Sequence, residues 1–175
     1  MPAWKHAIAL GTLLSACGSP ATPQRPDFVV HDTLVYVHSD ATFARRADLP
    51  ARVESTIEAA LTYWGGSWEE LAGRSVTLEG AALVACDGVP SASGCFDGDI
   101  RVSTSDLGTT FSCVEQTELV HEVGHAVIGD AAHLDPRWMD FTPVADALGG
   151  RVGYADEAEV DCPIVVGVWR HPPRH

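Results

Sequence analysis

Basic residues are scarce in this 175-residue chain, which has 11 Lys and Arg against 24 Asp and Glu and a formal net charge of −13. This balance argues against a nucleic-acid partner, because phosphate backbones are bound mainly through Lys and Arg. We interpret the acidity as a soluble surface, with a preference for basic substrates as the alternative. The chain also lacks internal repeats and low-complexity tracts, and its length suits one domain.

Long hydrophobic runs are absent too. The longest apolar run begins at Ala7 and extends for about ten residues, which is too short to span a bilayer. It ends in Leu-Ser-Ala-Cys at Cys17, which resembles the lipobox of bacterial lipoprotein signal peptides. We therefore predict a signal peptide over residues 1–16, a lipidated Cys17 with a Pro-rich tether over 17–27, and a folded domain over 28–175. An ordinary secretory signal and a structural Cys17 are the alternatives.

One motif stands out against this background. His121-Glu122-Val123-Gly124-His125 reads HExxH, and His133 follows within ten residues. Residues four apart lie on one face of a helix, so His121 and His125 can bind the same zinc ion. Glu122 lies one position round the helix, where it can reach a water on the metal rather than the metal itself.

The surrounding sequence predicts that this motif lies on a helix from Ser112 to Ile128. Ser112 and Glu115 form a capping box, valines recur at helical spacing, and Gly129 follows the last apolar residue. Earlier segments predict a strand over Phe28–His38, a helix from Leu49 that ends at Gly65-Gly66, and further strands. The further strands are Arg74–Glu79, Ala81–Ala85 and Asp99–Ser103, and a short helix is predicted over Asp161–Trp169.

This order of elements predicts an α/β or α+β fold, in which helices pack on a mixed twisted sheet. The order and the stretch HEVGHAVIGDAAHLDPRWM resemble the metzincin clan of zinc endopeptidases, and within it the matrixin-like group. The resemblance covers roughly Phe28 to Trp169 and is specific only around residues 118–140. It implies a long helix, a zinc-binding active-site helix and a small C-terminal subdomain after the third ligand.

The chain departs from the family pattern at the third ligand. His133 lies eight residues after His125, whereas the family histidine lies six after, a position that Ala131 occupies here. We favour His133 as the third ligand, and Asp130 is the alternative because snapalysin-like metzincins use an aspartate. Glu157 or Glu159 as a distant glutamate ligand is a further option.

The resemblance implies a zinc-dependent endopeptidase that hydrolyses peptide bonds through a zinc-bound water, with Glu122 as general base and His121, His125 and His133 as metal ligands. Met139 would form an apolar floor beneath the zinc, as the methionine of the family's turn does. Substrate would lie along an edge strand, for which Asp99–Ser103 is the candidate.

Several smaller expectations accompany this interpretation. Glu118 is expected on a solvated helix face, with orientation of a ligand as the alternative, and Tyr154 as a packing residue, with stabilisation of the oxyanion as the alternative. Asp97 and Asp99 around Gly98 weakly suggest calcium. The expected partners are protein or peptide substrates and a membrane, reached through the lipid on Cys17 at the outer membrane or cell surface, unless the protein is secreted. We expect a monomer.

Five cysteines are present, and four remain when Cys17 is set aside, which allows three pairings. Pairing Cys86 with Cys95 would close a Gly/Ser/Pro-rich loop, and pairing Cys113 with Cys162 would join the metal helix to the C-terminal segment. No C-x-x-C spacing supports a structural zinc cluster instead.

Two other functions compete with the endopeptidase. One is a non-catalytic zinc-binding surface lipoprotein with a degenerate metzincin site, since Ala131 stands where a ligand is expected. The other is a structural lipoprotein in which HExxH is incidental.

Overall fold

The structure is a computed structural model, and it describes residues 24–38, 47–81, 83–86, 89–104, 113–139 and 143–144. The strands in these ranges are β1 (Phe28–Val30), β2 (Thr33–Val37), β3 (Ser75–Glu79), β4 (Val84–Cys86), β5 (Val89–Ala92), β6 (Gly94–Phe96) and β7 (Ile100–Ser103). The helices are α1 (Leu49–Trp64) and α2 (Cys113–Ile128), with short 3-10 turns at Trp68–Glu70 and Pro136–Met139.

Five strands form one mixed sheet in the order β1-β2-β3-β7-β6. The central pairs β2–β3 and β3–β7 are parallel, and the outer pairs β1–β2 and β6–β7 are antiparallel. The strands β4 and β5 form a separate two-stranded sheet. The predicted mixed α/β architecture is thus confirmed at this level.

The predicted single strand over Phe28–His38 is wrong, because the chain turns back at His31 and Asp32. Both residues have positive φ, 44° and 43°, as the two central residues of a type I′ hairpin turn require. The turn also changes which side chains face the core: Val30 and Val35 are buried, whereas Val29 is 54% exposed. The alternation of apolar residues predicts the buried face only if the segment is one continuous strand. It therefore gave no sign of the turn.

The helices lie where the sequence predicts them. Pro50 occupies the first turn of α1, and Gly65 ends it in the left-handed conformation. Leu49, Val53, Ile57 and Leu61 form the buried stripe of α1, which packs against α2. The α2 helix in turn contacts β6 and β7, so its buried face joins the sheet to α1. Among the described residues, no helix is both long and apolar enough to cross a membrane.

Several predictions fall outside the described residues. They are the signal peptide and tether up to residue 23, Ser112 of the capping box, Tyr154, Glu157, Glu159, Cys162, the helix over 161–169, and the C-terminal subdomain apart from residues 143–144.

Candidate metal centre

Helix α2 presents His121 and His125 on one face, one turn apart. Their Nε2 atoms are 3.1 Å apart, and their ring centroids are 4.8 Å apart. His121 is buried, with 5% of its surface exposed, and His125 is half-buried. The i, i+4 spacing alone accounts for this pair.

The segment beyond the helix brings His133 to the same point. Gly129 adopts a left-handed φ of 62° and ends the helix, so the chain can reverse. His133 itself has a φ of 54°, which is uncommon for a residue with a side chain. Its Nε2 lies 3.2 Å from that of His121 and 3.1 Å from that of His125.

The three Nε2 atoms of His121, His125 and His133, here called the histidine cluster, form a nearly equilateral triangle. Mutual hydrogen bonds do not explain it, because a neutral imidazole has only one N–H and the remaining nitrogens would turn lone pairs toward each other. A tetrahedral zinc with nitrogens at 2.0–2.1 Å separates its ligand atoms by about 3.3 Å. The donor set and its spacing therefore fit a zinc ion with three protein ligands.

Burial also favours the neutral form of His125. Desolvation, with the neighbouring His133 second in size, lowers the pKa of His125 to about 4. The imidazole is therefore neutral at physiological pH, which is the form that binds a metal.

Asp130, the alternative third ligand, has a different set of partners. Its Oδ1 accepts the Ala132 N–H at 3.0 Å, and its Oδ2 accepts the N–H groups of Leu134 and Asp135 at 2.6 and 3.0 Å. These bonds, led by the one from Asp135, lower the pKa of Asp130. The carboxylate thus organises the turn that presents His133, and this arrangement favours His133 as the ligand.

The floor beneath the imidazoles is Trp138 rather than Met139. The indole lies 4.7, 4.7 and 4.6 Å from the rings of His121, His125 and His133, and it is only 2% exposed. Met139 is 61% exposed. The prediction for Met139 is wrong because the 3-10 turn at Pro136–Met139 directs the preceding residue, not the methionine, toward the cluster.

Glu122 is buried beside the outermost strand. It is 4% exposed, and a Cβ at Gly94 would lie 2.9 Å from its Cδ. Desolvation, and then the charge of Glu118, raise the pKa of Glu122 to about 8. Glu118 is itself only 6% exposed, so its expected place on a solvated face is wrong. The carboxylate of Glu122 thus packs against β6 of the sheet.

The edge strand predicted for substrate is also corrected. The strand β7, which contains most of Asp99–Ser103, pairs with β3 on one side and β6 on the other. The strand β6 is the outermost, and the disulfide between Cys86 and Cys95 joins it to β4. This bridge confirms one of the two predicted pairings.

Other acidic groups have protein partners. Asp97 accepts a hydrogen bond from Arg101 at 2.7 Å, and Asp99 accepts one from the Ser75 N–H at 2.7 Å. Calcium at this position stays a prediction.

One further group, His31, Glu54 and Glu58, has ligand atoms within 4.8 Å of one another. It lies on the surface, and a 3.1 Å ion pair between His31 and Glu54 accounts for it without a metal.

Sequence reasoning missed Trp138 and Gly94. Trp138 stands next to the expected methionine, and only its three-dimensional contacts distinguish the two. Gly94 lies in a Gly/Ser/Pro-rich segment that was expected to be a disulfide loop and that contributes β5 and β6.

Comparisons of the chain with protein-family models, with curated proteins and with solved structures find no match.

Proposed function

We propose that this chain is a zinc-dependent endopeptidase with a metzincin-like catalytic domain. The observation that supports this best is the histidine cluster, whose three Nε2 atoms lie 3.1–3.2 Å apart beside a buried carboxylate on the same helix. Three ligands leave a fourth tetrahedral position for water or substrate, as catalytic zinc sites require.

A bound zinc would supply a Lewis acid that polarises a peptide carbonyl and lowers the pKa of a water molecule. Glu122 supplies the proton transfers. Its carboxylate takes a proton from the attacking water and later delivers it to the leaving amine nitrogen. Burial raises the pKa of Glu122 in the metal-free protein, and this makes its carboxylate a stronger base than an exposed glutamate.

The substrate would lie along the outer edge of β6. An extended peptide can add to the last strand of a sheet through main-chain hydrogen bonds. Gly94 of β6 approaches Glu122 closely, so a peptide on this edge would carry its carbonyl groups past the general base. We therefore infer a protein or peptide substrate in extended conformation.

The proposed setting is the cell envelope. The lipobox-like sequence before Cys17 would anchor the domain through a lipid, with the Pro-rich residues up to 27 as a tether. Secretion without an anchor is the alternative, and the domain itself would act in the same way.

The deciding experiment compares wild type with Glu122→Gln, and with Glu118→Gln as a matched buried control on the same helix. We expect about one zinc per chain in all three proteins, because none of the changes removes a ligand. Casein hydrolysis should fall by about 10²- to 10⁴-fold in Glu122→Gln and by less than tenfold in Glu118→Gln. A chelator should abolish wild-type activity, and added zinc should restore it.

Zinc binding without hydrolysis in wild type would instead establish the non-catalytic zinc-binding lipoprotein. Absence of stoichiometric metal after dialysis would show that HExxH is incidental.

A further inference from the structure

We propose that Trp138 is a positioning residue that fixes all three ligands of the metal centre, a role that rests on the proposed zinc site. A single indole contacts the two histidines of α2 and the histidine of the following turn, with centroid distances of 4.6–4.7 Å. The imidazoles of His121, His125 and His133 lie at 55°, 34° and 79° to the indole plane, so each packs at an angle against the same rigid ring, and this contact restricts its rotation about χ2.

The second contact of Trp138 is polar and acts on the backbone. Its Nε1–H donates to Asp130 Oδ2 at 3.2 Å. That same oxygen accepts the N–H groups of Leu134 and Asp135, which follow His133. The positive φ of His133 is unfavourable by itself, and these bonds hold the turn in that conformation. Trp138 thus supports His133 both through its ring and through the turn.

Helix α2 has a glycine at the point where the indole of Trp138 packs against it. A Cβ at Gly124 would lie 2.7 Å from Cη2 of Trp138 and 2.6 Å from Cε2 of Trp64. Any side chain at position 124 would displace the two indoles. The glycine of HExGH in this chain is therefore explained by the approach of tryptophan to the helix.

The turn that contains Trp138 is anchored independently of any metal. Arg137 donates to both carboxylate oxygens of Asp135, at 3.0 and 2.6 Å, and to the carbonyl of Trp64 at 2.8 Å. Tyr63 donates its hydroxyl to the Arg137 carbonyl. These bonds attach the turn to the C-terminal end of α1, so the position of the indole is set by the fold.

The test measures zinc affinity by competition with a chromophoric chelator and ligand geometry from the visible spectrum of the cobalt-substituted protein. The variants are Trp138→Phe, Asp130→Asn and their combination. Trp68→Phe is the control for the loss of an indole, because Trp68 is also packed against the core but stacks on His31, with ring centroids 4.3 Å apart, rather than on a cluster histidine.

We expect Trp138→Phe to weaken zinc binding by about 10- to 100-fold, as the loss of partners that orient metal ligands does. The cobalt spectrum should change as well. Asp130→Asn should weaken zinc binding in the same range, and the double variant should lose less than the product of the two single losses, because both act on the turn of His133. Trp68→Phe should change zinc affinity less than threefold, although it too lowers the stability of the fold.

The proposal is overturned if Trp138→Phe binds zinc as tightly as wild type with an unchanged cobalt spectrum, or if Trp68→Phe weakens zinc binding equally. A wild-type protein that binds no zinc overturns the metal centre and this role together. A wild-type protein that binds zinc but hydrolyses no peptide overturns only the proposed function, since every readout here is metal binding.

Discussion

At two positions near the proposed metal centre, the packing leaves no room for a side chain, so glycine is required. Gly124 faces the indoles of Trp64 and Trp138, and Gly94 faces the carboxyl group of Glu122. At both positions the nearest atoms belong to buried, closely packed side chains that cannot move aside without cost. The geometry of the site thus depends on the lack of a side chain at these two glycines as well as on the three histidines.

Gly94→Ala tests this dependence at Glu122, the proposed general base. The new Cβ would lie 2.9 Å from Cγ and Cδ of Glu122, so the carboxyl group must shift. We expect peptide hydrolysis to fall by about 100-fold, since a displacement near 1 Å can cost that much. Zinc content should be unchanged, because the ligands are untouched.

The control for this variant is Ser93→Ala, one residue earlier, which adds no bulk and should retain activity. Full activity of Gly94→Ala would show that the carboxyl group does not need this approach.

At the scale of elements, the proposed metal centre consists of one helix and one turn whose relative position is set by α1. The helix provides two ligands through its regular repeat, and the turn provides the third through Gly129, Asp130 and the left-handed His133. Arg137 then links the turn to the end of α1. The helical pair was predictable from sequence, whereas the alternatives for the third ligand stayed open until the turn could be seen.

The disulfide between Cys86 and Cys95 acts on a second pair of elements. It joins β4 to β6, with Cα atoms 5.4 Å apart, and closes a loop with a sequence separation of 9. We expect Cys86→Ala/Cys95→Ala to lower the free energy of unfolding by about 2–3 kcal/mol, as loop-closure entropy predicts. Urea titration of wild type and the double variant, each with and without reductant, measures this.

Reductant should lower the unfolding free energy of the wild type by more than that of the double variant, which retains only Cys17, Cys113 and Cys162. If β6 holds the substrate, KM for a peptide should rise more than kcat falls. An unchanged unfolding free energy would mean that strand pairing alone fixes β6.

At the scale of the whole molecule, the chain is acidic, and two of its carboxyl groups, those of Glu118 and Glu122, are buried inside the fold. Burial, and then the charge of Glu118, disfavour the charged form of Glu122. The metal-free protein therefore bears a cost that depends on pH, and a bound cation would relieve it.

This cost predicts how the stability of the metal-free protein changes with pH. The pKa of Glu122 is raised from 4.5 to about 8, so its contribution is fully present below the unfolded value and is lost as the pH rises through 8. Between these values the folded protein holds a proton that the unfolded chain releases. We expect the unfolding free energy to decline by up to about 1.4 kcal/mol per pH unit from this group.

Urea unfolding of the chelated protein between pH 5 and 9 measures this decline. Glu122→Gln should show a shallower decline, because an amide does not titrate. Parallel curves for the two proteins would mean that Glu122 keeps its ordinary pKa in the fold.

The sequence by itself determined what depends on local periodicity and residue chemistry. It located α1, α2 and the strands β3 and β7, paired His121 with His125 on one helical face, and offered Cys86–Cys95 as one of the possible disulfides. A helical repeat and a short loop leave few alternatives, so neighbouring residues suffice to predict them.

Only the tertiary structure decided what depends on φ angles and on contacts between distant segments. The hairpin at His31, the outer position of β6, and the choice of Trp138 over Met139 as the floor all depend on where the chain reverses direction. A change of one residue in such a reversal moves a side chain from the core to the solvent. The pattern of apolar residues does not encode that change, because the packing of the whole chain selects it.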